Sequence, residues 1–112
     1  MMMQGYDLDA AVPFIARAMR RTGHRLPQPE LEAFIRRAID ADMAYMHACG
    51  ALDDDGLMGE GEYDEDDAFE ALLDTLAGDP EDDAAMDALA QLLDSYMEAQ
   101  QDFLDQSGLT QA

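Results

Sequence analysis

The chain has 112 residues, of which 48% are hydrophobic, and its 26 acidic and six basic residues give a net charge of −20. A chain of this length and hydrophobic content forms one domain with a core and is not an intrinsically disordered acidic tail. No apolar run approaches the roughly 18 residues that a membrane-spanning helix needs. We therefore expect a single domain over residues 1–112 and no membrane partner.

The charges are divided unevenly along the chain. All six basic residues are arginines, and they lie in residues 1–39 with four acids, for a net charge of +2. The other 22 of the 26 acids lie in residues 40–112, which contain no arginine or lysine. Because such a surface repels phosphate groups, we expect no direct binding to nucleic acid or to an anionic membrane.

The sequence repeats itself at an offset of 57 to 58 residues, which predicts a duplicated unit. YDLDAAVPFIARAM, beginning at Tyr6, matches YDEDDAFEALLDTL, beginning at Tyr63. LEAFIRRAIDADMAYMHACG then matches LAQLLDSYMEAQQDFLDQSG. The apolar positions keep the same phase in both copies; for example, Val12 becomes Phe69.

The first copy reads as a short helix followed by a long one. Apolar residues at helical spacing predict helix 1 over 9–22 and helix 2 over 29–49. Gly23 and Gly50 follow these ranges, and glycine is the usual residue just after a helix end. No β-strand is predicted, because β-branched residues are few and do not alternate with polar ones.

The second copy has the same order. Helix 3 is predicted over 67–77, with Asp67 and Glu70 in the arrangement of a capping box. Helix 4 is predicted to have Asp79 as its N-cap and to end before Gly108.

Neither of the two helical hairpins, 6–50 and 63–108, can bury its apolar stripe alone. We therefore predict that the hairpins pack face to face in an all-α four-helix domain. In this domain the two short-long hairpins are related by a pseudo-twofold axis. Each long stripe contains one polar residue in the same phase, Asp42 and Gln100. Either these two hydrogen-bond across the axis, or the stripes widen there and both side chains face water.

The segment ALDDDGLMGEGE, residues 51–62, joins the halves and resembles the loop of an EF-hand. Asp53, Asp55 and Glu62 stand at loop positions 3, 5 and 12, where calcium ligands are expected. Position 1, however, is Ala51, which has no side-chain oxygen to donate. We therefore interpret the segment as a solvated acidic joint and keep Asp53, Asp55 and Glu62 only as weak calcium candidates.

The sequence contains no pattern that indicates catalysis or a cofactor. Neither His24 nor His47 has a partner at zinc-site spacing, and no phosphate-binding glycine loop or nucleophile elbow occurs. The single Cys49 cannot form an internal disulfide, so we expect a buried thiol in the reducing cytoplasm. The apolar faces are rich in methionine, which we interpret as adaptable core and not as a binding groove. These methionines are Met19, Met43, Met46, Met86 and Met97.

Three functions remain open at this point. The first is a small non-enzymatic interaction protein that binds a basic partner protein, because a dense acidic surface favours fast association with one. The second is a DNA mimic that inhibits a nucleic-acid enzyme by displaying carboxylates in place of phosphates. The third is weak calcium binding by the joint. The uneven charge division also suggests a head-to-tail homodimer.

Overall fold

A computed structural model describes residues 6–23, 26–53, 59–61, 63–77 and 83–107. Within these ranges the chain is all-α, with four helices and no β-sheet, so the predicted four-helix fold is confirmed. The helices are α1 (Leu8–Arg21), α2 (Gln28–Ala48), α3 (Glu65–Ala77) and α4 (Asp83–Ser107).

The start of α3 differs from the prediction. The helix begins at Glu65, and Asp64 Oδ1 accepts hydrogen bonds from the backbone N–H groups of Asp66 (3.0 Å) and Asp67 (3.3 Å). The capping box predicted for Asp67 and Glu70 is therefore wrong, because Asp64 already supplies the acceptor that the first turn needs. The cap and stop predicted for helix 4 lie outside the described residues.

The four helices form a ring around one core. Helix α1 packs against α2 and α4, and α3 packs against the same two helices from the other side. Among the described residues, α2 and α4 are the one pair of helices that meets across the middle of the bundle. Burial of these apolar side chains supplies most of the stabilising free energy. The fully buried apolar side chains include Ile15, Met19, Leu31, Ile35, Ile39, Met43, Leu72 and Leu93. None of the described helices is long and apolar enough to cross a bilayer.

The joint between the halves is not simply solvated. Leu52 is buried in the core, with 1% of its surface exposed. The backbone N–H of Gly59 donates to Ala51 O (2.8 Å), and that of Gly61 donates to Gly50 O (2.9 Å). A Cβ atom at Gly59 or Gly61 would overlap the backbone of residues 49–50, so these glycines allow the close approach. An apolar side chain and backbone pairing therefore anchor part of the predicted acidic joint, whereas residues 54–58 and 62 lie outside the described residues.

Candidate functional site

A cluster of polar side chains lies inside the apolar core. Asp42 is 2% exposed and Gln100 is 3% exposed. Asp42 Oδ1 accepts from the Tyr63 hydroxyl (2.7 Å), and its Oδ2 accepts from the Tyr96 hydroxyl (3.0 Å). Gln100 Oε1 accepts from the Tyr6 hydroxyl (2.7 Å). The alternative in which Asp42 and Gln100 face water is therefore wrong: both are buried, and tyrosine hydroxyls satisfy their oxygens.

The two polar side chains lie near each other without pairing directly. The Gln100 amide is close enough to Asp42 to lower the pKa of its carboxyl group. Among the described residues, however, the buried Nε2 of Gln100 has no hydrogen-bond partner. The predicted hydrogen bond between Asp42 and Gln100 is thus replaced by bonds from tyrosines, and one buried amide donor is left over.

Burial dominates the electrostatics of this cluster. Removal from water raises the pKa of Asp42 above its ordinary value, and hydrogen bonds from Tyr63 and Tyr96, together with the nearby Gln100 amide, offset part of the rise. Burial is also the largest cause that raises the pKa of the hydroxyls of Tyr6, Tyr63 and Tyr96, and the Asp42 charge adds to the rise. The three phenols therefore stay protonated at neutral pH and act as hydrogen-bond donors.

Two of the tyrosines are positioned by aromatic contacts at the starts of the short helices. Tyr63 precedes α3 and packs edge-to-face on Tyr45 of α2, with ring centroids 5.5 Å apart. Tyr6 precedes α1 and packs edge-to-face on Phe103 of α4, with ring centroids 5.4 Å apart. This geometry is the favoured one for aromatic pairs. Each ring is thereby held with its hydroxyl directed at a polar residue of a long helix.

An open groove of about 1000 Å³ lies above the cluster, between α3, α4 and the end of α2. Asp42 and Gln100 form part of its floor. Phe69 of α3 and Met97 of α4 line it with apolar surface, and both are only partly buried. None of the described residues that line the groove is basic. We call this feature the acidic groove.

The rim of the acidic groove carries four exposed carboxylates. Glu65 and Asp66 lie on the α3 side, and Asp94 and Glu98 lie one turn apart on α4. Exposed carboxylates grouped around one groove attract counterions or a cationic partner. The groove thus combines an apolar lining with a negative rim.

The acidic groove partly corrects the interpretation of the methionines. Met19 and Met43 are fully buried in the core, as predicted. Met46 and Met97, in contrast, line the groove, and Met97 is partly exposed. Helical spacing alone places Met97 on the apolar stripe of α4 and does not show which part of that stripe a neighbouring helix covers.

The predicted calcium candidates are not brought together in the part of the chain that the structure describes. Asp53 is exposed, whereas Asp55 and Glu62 lie outside the described residues. Within the described ranges, no three His, Cys, Asp or Glu side chains are grouped to hold a metal ion. Cys49, predicted to be buried, is half-buried, because it lies at the end of α2, where its thiol donates to Met46 O (3.5 Å).

Comparison of this chain with protein-family models, with curated proteins and with solved structures finds no match. The functional argument therefore comes from the geometry of the chain itself. Chemically, the acidic groove offers exposed carboxylate acceptors, apolar contact surface and one buried amide donor. This combination suits recognition of a ligand that is both cationic and partly apolar.

Proposed function

We propose that this chain is a small non-enzymatic protein that acts by binding a basic partner protein through its acidic second half. The observation that carries the proposal is the exposure of every acid on α3 and α4, helices that contain no arginine or lysine. The eleven exposed acids are Glu65, Asp66, Asp67, Glu70, Asp74, Asp83, Asp87, Asp94, Glu98, Asp102 and Asp105.

The size and charge of this surface support such a role. Complementary charge raises association rates and selects against acidic partners. The described chain extends 37 Å by 27 Å along its two longest axes. A stable interface buries about 800 Å² on each partner, and a face of these dimensions accommodates it. One copy of the chain is therefore large enough to provide the proposed interface.

Affinity chromatography with the immobilised full chain tests the proposal. Proteins from a lysate of the source cell should be retained at low salt, and those identified by mass spectrometry should be basic. A charge-reduced variant, Asp87→Asn/Asp94→Asn/Asp102→Asn, should retain less of the same proteins. If the retained proteins are no more basic than the lysate, or if the variant retains them equally, the proposal fails.

A linear array of carboxylates on α4 supports a second candidate, a DNA mimic. Six acids between Asp83 and Asp105 fall on one face of the helix, over about 33 Å at a rise of 1.5 Å per residue. This axial density is about half that of the phosphates of one DNA strand, which lie about 3.4 Å apart. If the chain is a mimic, duplex DNA will displace its retained partners, and the chain will inhibit their binding to DNA. Partners that DNA does not displace favour the first proposal.

We also propose that the two hairpins are copies of one unit related by a pseudo-twofold axis. Reciprocal contacts support this: Tyr6 of the first half donates to Gln100 of the second, and Tyr63 of the second donates to Asp42 of the first. These residues correspond to one another at the offsets of 57 and 58 in the sequence. An experimental structure in which a half-turn superposes 6–50 on 63–108 would support the duplication, and any other rotation would contradict it.

A further inference from the structure

We infer that the acidic groove is the docking site for a basic amphipathic segment of the partner protein. The segment would place arginine or lysine side chains over the rim carboxylates and an apolar side chain between Phe69 and Met97. This inference rests on the proposed function, and it adds where the partner binds and what chemistry its binding segment has.

The charge of the rim determines the sign of the occupant. Glu65 and Asp66 lie across the groove from Asp94 and Glu98, and no basic side chain lines the described groove. An acidic segment would be repelled from both sides, and a neutral one would leave four carboxylates uncompensated. Guanidinium or ammonium groups placed beside these carboxylates neutralise them, and guanidinium groups can bind carboxylates in a bidentate manner.

The lining of the groove requires that the occupant also be apolar. Phe69 and Met97 each belong to the apolar stripe of their helix, yet neither is fully buried. Methionine adapts its shape to an incoming side chain and makes favourable contacts with aromatic rings. The aliphatic stems of arginine and lysine can cover part of this surface, and an apolar side chain of the segment can cover the rest.

A third observation, independent of charge, also points to an occupant. Gln100 lines the groove and is 3% exposed, and its Nε2 has no acceptor among the described residues. Buried donors without a partner are rare in native proteins. A carbonyl oxygen of a docked segment that reaches the floor would accept a hydrogen bond from this amide. The floor of the groove thus contains an unsatisfied donor in addition to the acceptors on its rim.

A second copy of this chain is a less suitable occupant. The exposed arginines of α1 (Arg17, Arg20 and Arg21) form a basic patch near Phe14. Two copies would nevertheless each bring a net charge of −20, and the resulting repulsion opposes self-association. A foreign basic segment meets no such opposition.

Fluorescence anisotropy with a labelled peptide tests the inference. The probe is a synthetic amphipathic helix with leucine on one face and lysine or arginine on the other, and it is titrated with the full chain. One control peptide keeps the basic residues but replaces each leucine by alanine, and the other replaces each basic residue by glutamate. The amphipathic basic probe should bind most tightly, and the acidic peptide should not bind.

Two matched pairs of variants locate the binding site. Asp94→Asn/Glu98→Gln should weaken binding of the probe by about five- to tenfold. The control Asp87→Asn/Asp102→Asn removes the same charge from exposed positions of α4 outside the groove, and it should weaken binding less than about threefold. Equal weakening by both pairs would overturn the groove as the site and would leave the preference for basic partners intact.

The apolar part is tested in the same way. Phe69→Ala should weaken binding of the amphipathic probe but not of the alanine control peptide. Leu73→Ala, on the same helix and also partly buried but outside the groove, should change neither. Circular dichroism confirms that each variant is folded. If neither of the two basic peptides binds, the proposed function is overturned as well. A fall in the anisotropy of the probe at the highest chain concentrations, with dimers in sedimentation, would identify a second copy as the occupant instead.

Discussion

The two halves differ in how far they bury the apolar side chains at corresponding sequence positions near Asp42 and Gln100. In the first half, Val12 and Ile39 are 1% and 0% exposed, so that corner of the bundle is closed. The corresponding Phe69 and Met97 of the second half are partly exposed and line an open groove. At these corresponding sequence positions, the closed corner has two β-branched aliphatic side chains, and the open one has an aromatic ring and a flexible thioether side chain.

The charges around the two corners also differ in part. Leu8 and Arg36 of the first half correspond to Glu65 and Asp94, which lie on the rim of the groove. The other two rim acids, Asp66 and Glu98, correspond to acids of the first half, Asp9 and Asp40, so the two corners differ in charge at two of the four rim positions. This difference supports the proposal that the second half carries the interaction surface and that the first half mainly supports the fold.

Truncation of Asp42 should destabilise the fold more than truncation of Gln100. Asp42→Ala leaves two tyrosine hydroxyls without their acceptor, and Tyr96 is fully buried, so we expect a loss of about 2–4 kcal/mol in the free energy of unfolding. Gln100→Ala frees only the Tyr6 hydroxyl and removes an unpaired amide, so we expect about 1–2 kcal/mol. Urea unfolding measures both.

The near-isosteric Asp42→Asn serves as the control for volume and should cost less than Asp42→Ala. Equal losses for Asp42→Ala and Gln100→Ala would show that the two polar positions contribute alike, contrary to the comparison.

The tyrosines that precede the short helices provide a finer test. Tyr63→Phe removes a hydrogen bond to a carboxylate, and we expect a loss of about 1.5–3 kcal/mol when Asp42 is ionised. Tyr6→Phe removes a bond to a neutral amide oxygen and should cost about 0.5–1.5 kcal/mol. Both changes keep the edge-to-face ring contacts. A larger loss from Tyr6→Phe in urea unfolding would reverse the expected order.

The fold could be predicted from the sequence because helix signals are local. Apolar spacing and the terminal residues predict α1 and α2 to within one residue of the observed bounds. The sequence predicts the start of α3 two residues too late, because several adjacent acids can each serve as a cap and only the backbone geometry selects Asp64.

The candidate site could be predicted only in part. Asp42 and Gln100 stand out as polar residues on apolar stripes, so their importance is visible in the sequence. Two of their three tyrosine partners, Tyr6 and Tyr63, lie outside the helices, and the direction of such residues depends on tertiary packing. The groove exists because neighbouring helices do not fully bury Phe69, and the spacing of apolar residues in the sequence does not predict this.

Asp42 should also make stability depend on pH. Its folded pKa is raised above the ordinary value of 3.8, so the folded state holds the proton more tightly than the unfolded state. The resulting contribution is full below pH 3.8 and is lost as the pH rises through the folded pKa. The stability of the wild type relative to Asp42→Asn should therefore fall as the pH rises from 3.8 and then level off. Urea unfolding at constant salt measures this difference, and a constant difference would contradict it.

The smallest expected effect is that of salt on the acidic second half. Raising the ionic strength from about 0.01 M to 0.15 M shortens the screening length from about 30 Å to 8 Å, and we expect Tm to rise by about 2–5 °C. Asp94→Arg, which introduces the residue found at the corresponding position 36, should reduce this rise, whereas Arg36→Asp should enlarge it. A Tm that does not respond to salt would show that repulsion between the acids is negligible.

Chemical-shift mapping tests most directly the central claim that the second half carries the interaction surface. ¹⁵N-labelled full chain is titrated with the amphipathic basic peptide, and the backbone amide shifts are followed. We predict the largest changes at Phe69, Met97 and neighbouring residues of the acidic groove, and little change at the corresponding Val12 and Ile39. Changes that are spread evenly over all acidic segments, or that centre on the first half, would contradict the account.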